Sequence, residues 1–338
     1  MAQLRYIDAL TLGLREEIER DPTVFIVGEE VGQYNGTLEV TKGFLAEYGP
    51  NRIVDTPISE AGIVGLGIGA AMAGLRPVCE MMRLDFSLPA YDQIVQHAAK
   101  IRYMFGGQFK CPMVVRGPSG VGNQLSAQHS QALDVLFAHI PGLKVVAPAT
   151  PADAKGLMKS AIRDDNPVVV IEALRMYMTK PDALEAVLPG LSEVPEDTDF
   201  APPLGEAKVL REGRDVTLIG YSTMTISCLR AAQLLEQEGI SAEVVDLRSL
   251  LPLDMATPLA SIKKTHRAVV VQEQWGLYGI AAEVSAQIAE RAFYDLDAPV
   301  QRVTGAFVPM PYSKALESLA FPNEKDIVVA AKRTLGGK

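Results

Sequence analysis

Apolar positions fall at helical spacing through RYIDALTLGLREEIERDP and stop at Asp21-Pro22, so the chain opens on an amphipathic helix. TVFIVGEEV follows as a buried strand from Thr23 to Val27 that opens into a loop at Gly28. RIVDTP is a short strand ended by Pro57, a helix starts after Ser59, and GLRPVCEMM returns as a strand. LPAYDQIVQHAAKIRYMFGG has the spacing of one long amphipathic helix with a glycine stop. PMVVRGP and LKVVAPA are further strands, PADAKGLMKSAIRDDNP is a helix with proline at its start, and PVVVIE closes the set. Short apolar β-runs alternating with helices predict an α/β unit whose sheet is mostly parallel and covered on both faces.

After Tyr177 the periodicity fades into EAVLPGLSEVPEDTDFAPPLG, rich in proline and acidic residues, which reads as a linker. A second α/β unit starts near Glu206, with strands in DVTLIGY, SAEVVDLRS, AVVVQE and VQRVTGA. The expected division is 1–185, a linker over 186–205, and 206–338. The 338 residues suit two domains, and 48% hydrophobic residues allow a sizeable core. A net charge of -9 argues against a sequence-independent nucleic-acid binder, and more weakly against an anionic membrane surface. Cys79, Cys111 and Cys228 are scattered, with no CxxC, which predicts a reducing compartment rather than a disulfide scaffold or zinc site. With charges interrupting the N-terminal stretch and no run of about 18 apolar residues, the expectation is a soluble cytoplasmic protein.

Candidate chemistry is sparse. Gly65-Leu66-Gly67-Ile68-Gly69-Ala70 spells a GxGxxA string, but its glycines lie within a helix rather than in the turn after a strand, so it is no dinucleotide loop. Such small residues suit close packing against a helix or a second chain. Glu60 reads either as a first-turn glutamate favoured by the helix dipole or as an interface carboxylate exchanging a proton with a ligand ring. Of the four histidines, His129 follows the glycine-rich GPSGVGNQ and is the better candidate for chemistry than His97 or His266. The turn at Ala161-Ile162-Arg163-Asp164-Asp165-Asn166-Pro167 is ordinary turn chemistry by composition, though carbonyls at a helix end can also bind a hard cation.

Taken in order, GEEVGQYNG, RIVDTPISEAGIVGLGIGAAMAGLRPVCE, FSLPAYDQIVQHAAKIRYMFGGQ, AQHSQ, PGLKVVAPATPADAKGLMKSAIRDDNPVVV and VPMPYSKALE resemble the β subunits of the thiamine-diphosphate-dependent 2-oxo acid dehydrogenases over essentially the whole chain. The resemblance implies an N-terminal pyrimidine-binding α/β domain and a C-terminal transketolase-like α/β domain. It also implies an α2β2 heterotetramer with an α subunit, docking on a lipoyl-bearing acyltransferase core, and oxidative decarboxylation of a 2-oxo acid. YNGTLEVTKGFLAEYG looks more like pyruvate-type sequences than branched-chain ones. Branched-chain 2-oxo acid or acetoin dehydrogenases are the first alternative, and a non-catalytic assembly subunit the second.

Residue by residue, the resemblance makes Glu60 the partner of the cofactor's aminopyrimidine nitrogen and Glu29 an acidic neighbour that tunes it. It places Ile58, Met82 and Phe86 against the ring and makes His129 an active-site histidine. Met113, Ala161, Ile162, Asp164 and Asn166 match a structural potassium site. Magnesium ligands are expected mainly on the α subunit, because no GDG motif occurs here. Two positions depart from the pattern: Arg83 where relatives usually carry an uncharged residue, and Phe307 in place of an aspartate before VPMPY. Arg83 is expected either to pair with Asp85 or to alter the substrate side.

Overall fold

The computed structural model describes residues 1–36 and 38–336. The first domain is built on a sheet with strands in the order Ser249–Leu251, Lys144–Val146, Val168–Ala173, Val114–Ser119, Arg76–Glu80, Val24–Gly28 and Ile53–Asp55. Six of these strands are parallel; Ser249–Leu251 alone runs antiparallel. Their runs are buried along almost their full length, as a sheet covered on both faces requires. The second sheet orders Gln301–Gly305, Ala268–Trp275, Val216–Gly220, Ala242–Asp246 and Lys208–Arg211, with the last strand antiparallel at the edge.

SAEVVDLRS is therefore not one strand. Ala242–Asp246 stays in the second sheet, and after Arg248, which has positive φ, Ser249–Leu251 crosses to the first. That crossing ties the domains together, and both apolar clusters draw residues from each domain. The stretch expected to link the domains lies against the first one. Glu193–Val194 pairs antiparallel with Ala2–Gln3, and the fully buried Lys155 and Lys159 donate to carbonyls of Pro195, Asp197 and Thr198.

Helix Tyr6–Arg20 packs on helix Pro151–Arg163, which is capped by Thr150 and begins with proline. Their approach needs Gly13, since a Cβ there would stand 2.8 Å from the Lys155 carbonyl oxygen. The helix expected over 89–107 is wound in pieces. Gln93–Ala98 forms a widened turn in which the Ala99 N–H donates to the Ile94 carbonyl, five residues back, and Ile101–Met104 resumes the ordinary pitch. Ile94, Ala98 and Ile101, at i, i+4 and i+7, all face inward, so the apolar face runs on through the widened turn. Gly106 and Gly107, both at positive φ, end the segment as expected. Among the described residues no helix is long and apolar enough to cross a membrane.

Candidate functional site

Four adjacent parallel strands deliver the candidate residues to one edge of the first sheet. Glu29 follows Val24–Gly28, Ile58 and Glu60 follow Ile53–Asp55, Met82 follows Arg76–Glu80, and His129 lies in the loop after Val114–Ser119. In open α/β sheets ligands collect outside these carboxyl ends, where loops diverge. The Asp55 carboxylate accepts from the N–H groups of Gly32 at 2.6 Å and Gln33 at 2.9 Å, and Thr56 N–H donates to the Gly28 carbonyl at 3.0 Å. Those bonds draw the Glu29 loop onto the turn that starts helix Glu60–Met72.

Glu29 is buried, and its burial, reinforced by the nearby charges of Glu60 and Glu30, pushes its carboxyl above the usual range. Two carboxylates so share the mouth of one helix. Glu60, half-buried, occupies the first position of that helix. Met82 and Phe86, half-buried, follow strand Arg76–Glu80, which neighbours the strand that leads to Glu29, whereas Ile58 is 81% exposed. The Phe86 ring meets the His129 imidazole edge to face, with centroids 5.0 Å apart.

His129 sits in a short helical turn, Ala127–His129, within a loop that polar groups grip from two sides. Asp85 Oδ1 accepts from the Gln131 N–H at 2.8 Å, and Gly120 N–H donates to the Gln131 carbonyl at 3.1 Å. From the second domain, Glu273 accepts from the Val121 N–H, and Gln274 donates to the Ser130 carbonyl while accepting from the Ala132 N–H. Burial pushes the Glu273 carboxyl up to about 7, against the Val121 bond and with the Asp134 charge adding to it. Glu273 and Gln274 were not anticipated. Their signal was a polar pair closing the apolar run AVVVQEQW. Arg83 resolves to the first of its two expected roles: it is buried, pairs with Asp85 at 2.9 Å and points away from solvent. Phe307 is 71% exposed and meets Trp275 at 6.3 Å between centroids; nothing in the structure explains its substitution for aspartate.

Next to these residues an apolar, half-buried wall and a pair of carboxylates fit an aminopyrimidine ring, which offers a flat face and a basic nitrogen. Met113, Ala161, Ile162, Asp164 and Asn166 lie elsewhere, at the opposite ends of the strands. There Arg76 donates to the carbonyls of Ile162 and Asp164, both at 2.9 Å, and Arg102 donates to Asn166 Oδ1 at 2.7 Å. Each carbonyl keeps a second lone pair, so the cluster is already polarised by cations but not exhausted as a donor set. Among the described residues no group of three or more His, Cys, Asp or Glu side chains is placed to hold a metal ion.

Comparison with known proteins agrees with the two-domain α/β fold. The family described as transketolase, pyrimidine binding domain matches residues 2–179, and the transketolase C-terminal domain matches 205–327. A solved structure titled split gene transketolase, inactive beta4 tetramer, superposes with a TM-score of 0.75 at 25% identity, covering 99% of both chains. The mitochondrial pyruvate dehydrogenase E1 component subunit beta of Dictyostelium discoideum is 50% identical over 96% of this chain and 89% of its own length. The human counterpart is 47% identical over 98% and 91%, and the beta-1 subunit of Arabidopsis thaliana 50% identical over 96% and 88%. All three are named as mitochondrial, which overturns the expectation of a cytoplasmic protein and points to the mitochondrion. That expectation rested on free thiols and the lack of a long apolar run, and neither separates one reducing compartment from another. With both halves matched and about half its residues shared over nearly its whole length, the chain belongs to the family of pyruvate dehydrogenase E1 component β subunits.

Proposed function

We propose that this chain supplies the aminopyrimidine-binding half of a thiamine-diphosphate site. Paired with an α subunit in an α2β2 tetramer, it carries out oxidative decarboxylation of pyruvate and passes the acetyl group to a lipoyl-bearing acyltransferase core. The observation that carries this reading is the convergence of Glu29 and Glu60 at the carboxyl edge of the sheet, beside the Phe86–His129 pair. When bound, the cofactor supplies an electron sink for the loss of carbon dioxide from a 2-oxo acid.

The chain's own residues hold and move protons around that chemistry. Glu60 places a carboxylate at the helix mouth to hold a proton at the ring nitrogen, and Glu29, buried beside it, has its own carboxyl pushed above the usual range. Met82 and Phe86 exclude water from the ring face. His129, braced by Phe86, orients the substrate and assists acyl transfer. Ile58, standing 81% exposed, marks the rim that the partner subunit covers. The split transketolase, described as inactive as a β4 tetramer, supports the need for a second kind of chain.

Co-expression with an α subunit, followed by decarboxylation assays on pyruvate, 3-methyl-2-oxobutanoate and acetoin, tests this reading. Turnover of pyruvate above the other two is expected. A cofactor-loaded tetramer that turns over none of them removes the enzyme reading; preference for another donor removes the pyruvate one. The carbonyl cluster at Met113, Ala161, Ile162, Asp164 and Asn166 is proposed as a potassium site. Replacing sodium by potassium at constant ionic strength should raise the melting temperature, and equal melting in both salts refutes it.

A further inference from the structure

Arg83 and Asp85 lie side by side beneath the His129 loop, and each holds one end of it. Arg83 Nη2 donates to the Gly120 carbonyl at 2.8 Å, while Asp85 Oδ1 accepts from the Gln131 N–H at 2.8 Å. The pair is closed by Arg83 Nε donating to Asp85 Oδ2 at 2.9 Å. Since Gly120 N–H also donates to the Gln131 carbonyl, the chain leaves and re-enters the loop at a single pinned point. Both side chains are buried, at 6% and 3% exposure, where a charge-assisted bond is strong and an unpaired charge is costly.

Between the pinned ends the backbone needs such restraint. Asn123, Gln124 and Ser126 all have positive φ, at 63°, 56° and 65°, which non-glycine residues adopt only when their surroundings enforce it. Asp85 also reaches His129 along a second path, because its neighbour Phe86 packs against the imidazole. Arg83 lies among several buried acids: Asp85 touches it, Asp134 and Glu273 stand close enough to feel one another or the pair, and Arg175 also acts on Glu273.

We propose that the Arg83–Asp85 pair is a positioning clamp for the decarboxylation and acyl transfer, fixing where the His129 imidazole stands through Gly120 and Gln131. The inference rests on the reading of His129 as an active-site group. It gives the charged departure at position 83 a role in catalysis without contact to substrate. A lysine in its place keeps the charge but lacks the planar fork that addresses two acceptors at once.

The test compares Arg83→Lys, Arg83→Met and His129→Ala in the tetramer loaded with thiamine diphosphate and magnesium. Arg83→Met leaves buried carboxylates without their cation, so Arg83→Lys is the variant that reports if the first does not fold. Arg83→Lys should lower kcat by roughly tenfold to a hundredfold, the cost of misplacing a catalytic group, with KM for the oxo acid nearly unchanged. Amide hydrogen exchange should quicken across 120–131 and stay as in the wild type in strand Val168–Ala173. Wild-type kcat and loop exchange in Arg83→Lys, alongside a crippled His129→Ala, overturn the clamp while leaving His129 in place. Lower melting temperature with unchanged loop exchange and kcat makes the pair structural only. Wild-type turnover by His129→Ala removes the reading of His129 itself, and the clamp with it.

Discussion

The Phe86 ring and the His129 imidazole meet edge to face, with centroids 5.0 Å apart and planes at 88°. One residue comes from the turn after a central strand and the other from a loop after the next strand, so the contact joins two independent loops at the sheet edge. Edge-to-face pairs contribute about 0.5–1.5 kcal/mol beyond the area they bury. Phe86→Leu keeps the apolar bulk and removes the quadrupole contact. A fall in kcat of about twofold to tenfold is expected if that energy holds the imidazole in place. Steady-state kinetics of the reconstituted tetramer decide it, and an unchanged kcat discards the bracing role.

Glu60→Gln should fold and assemble, because a glutamine fits the first turn of helix Glu60–Met72 without new burial. Its amide cannot hold or give up a proton at a ring nitrogen. Turnover should drop by about two to four orders of magnitude, the usual worth of a positioned acid or base. Cofactor binding should weaken far less. Wild-type turnover from an assembled Glu60→Gln tetramer would refute the assigned role.

Much of the architecture was legible because apolar runs of β length alternate with helical ones, and most runs found their strand or helix. What escaped detection depends on partners distant in sequence. Leu250 belongs to the first domain's sheet only because Val145 and Val146 offer an antiparallel edge, a pairing no local pattern reveals. The widened turn at Gln93–Ala98 lies inside a stretch whose apolar spacing, Ile94, Ala98 and Ile101, is that of an ordinary helix, so the repeat alone does not reveal it. At the site, composition left Glu60 an ordinary first-turn acid and only the family resemblance singled it out. The fold adds the neighbour, Glu29, whose burial beside it makes the pair chemically unusual. Glu273, 144 residues beyond His129 in sequence, showed only as a polar residue closing an apolar run, because its contact to Val121 crosses the domain boundary.

Stability should fall as pH rises through neutrality. Burial raises the carboxyls of Asp134 to about 6, and of Asp246 and Glu273 to about 7, with like charges adding in each case. A carboxyl whose affinity for its proton is higher in the folded state contributes stability that is whole below the ordinary carboxylate range. That contribution is lost as pH rises through the folded-state value. The melting temperature should therefore decline between about pH 4 and about pH 7.5, and level off above that. Glu273→Gln keeps an oxygen for the Val121 N–H and removes one titration, so its decline should be shallower. Its advantage should vanish near pH 4 (about where both states of the wild type are protonated). Parallel curves for variant and wild type across that range contradict the assignment.

The isolated chain should bind thiamine diphosphate poorly. It offers the ring an acidic pair and an apolar wall, but Ile58 is 81% exposed at the rim and Phe86 and His129 are only half-buried. A ligand that touches protein on one side gains little desolvation and keeps much of its freedom. Adding the α subunit encloses the other side and, by this reading, brings the magnesium ligands. Titration calorimetry with the chain alone should therefore give an affinity at least about a hundredfold weaker than with the tetramer, a gap of about 2.7 kcal/mol. Magnesium should make little difference to the chain alone and a large one to the tetramer. Tight, magnesium-dependent binding by the chain alone would contradict the division of the site between two subunits.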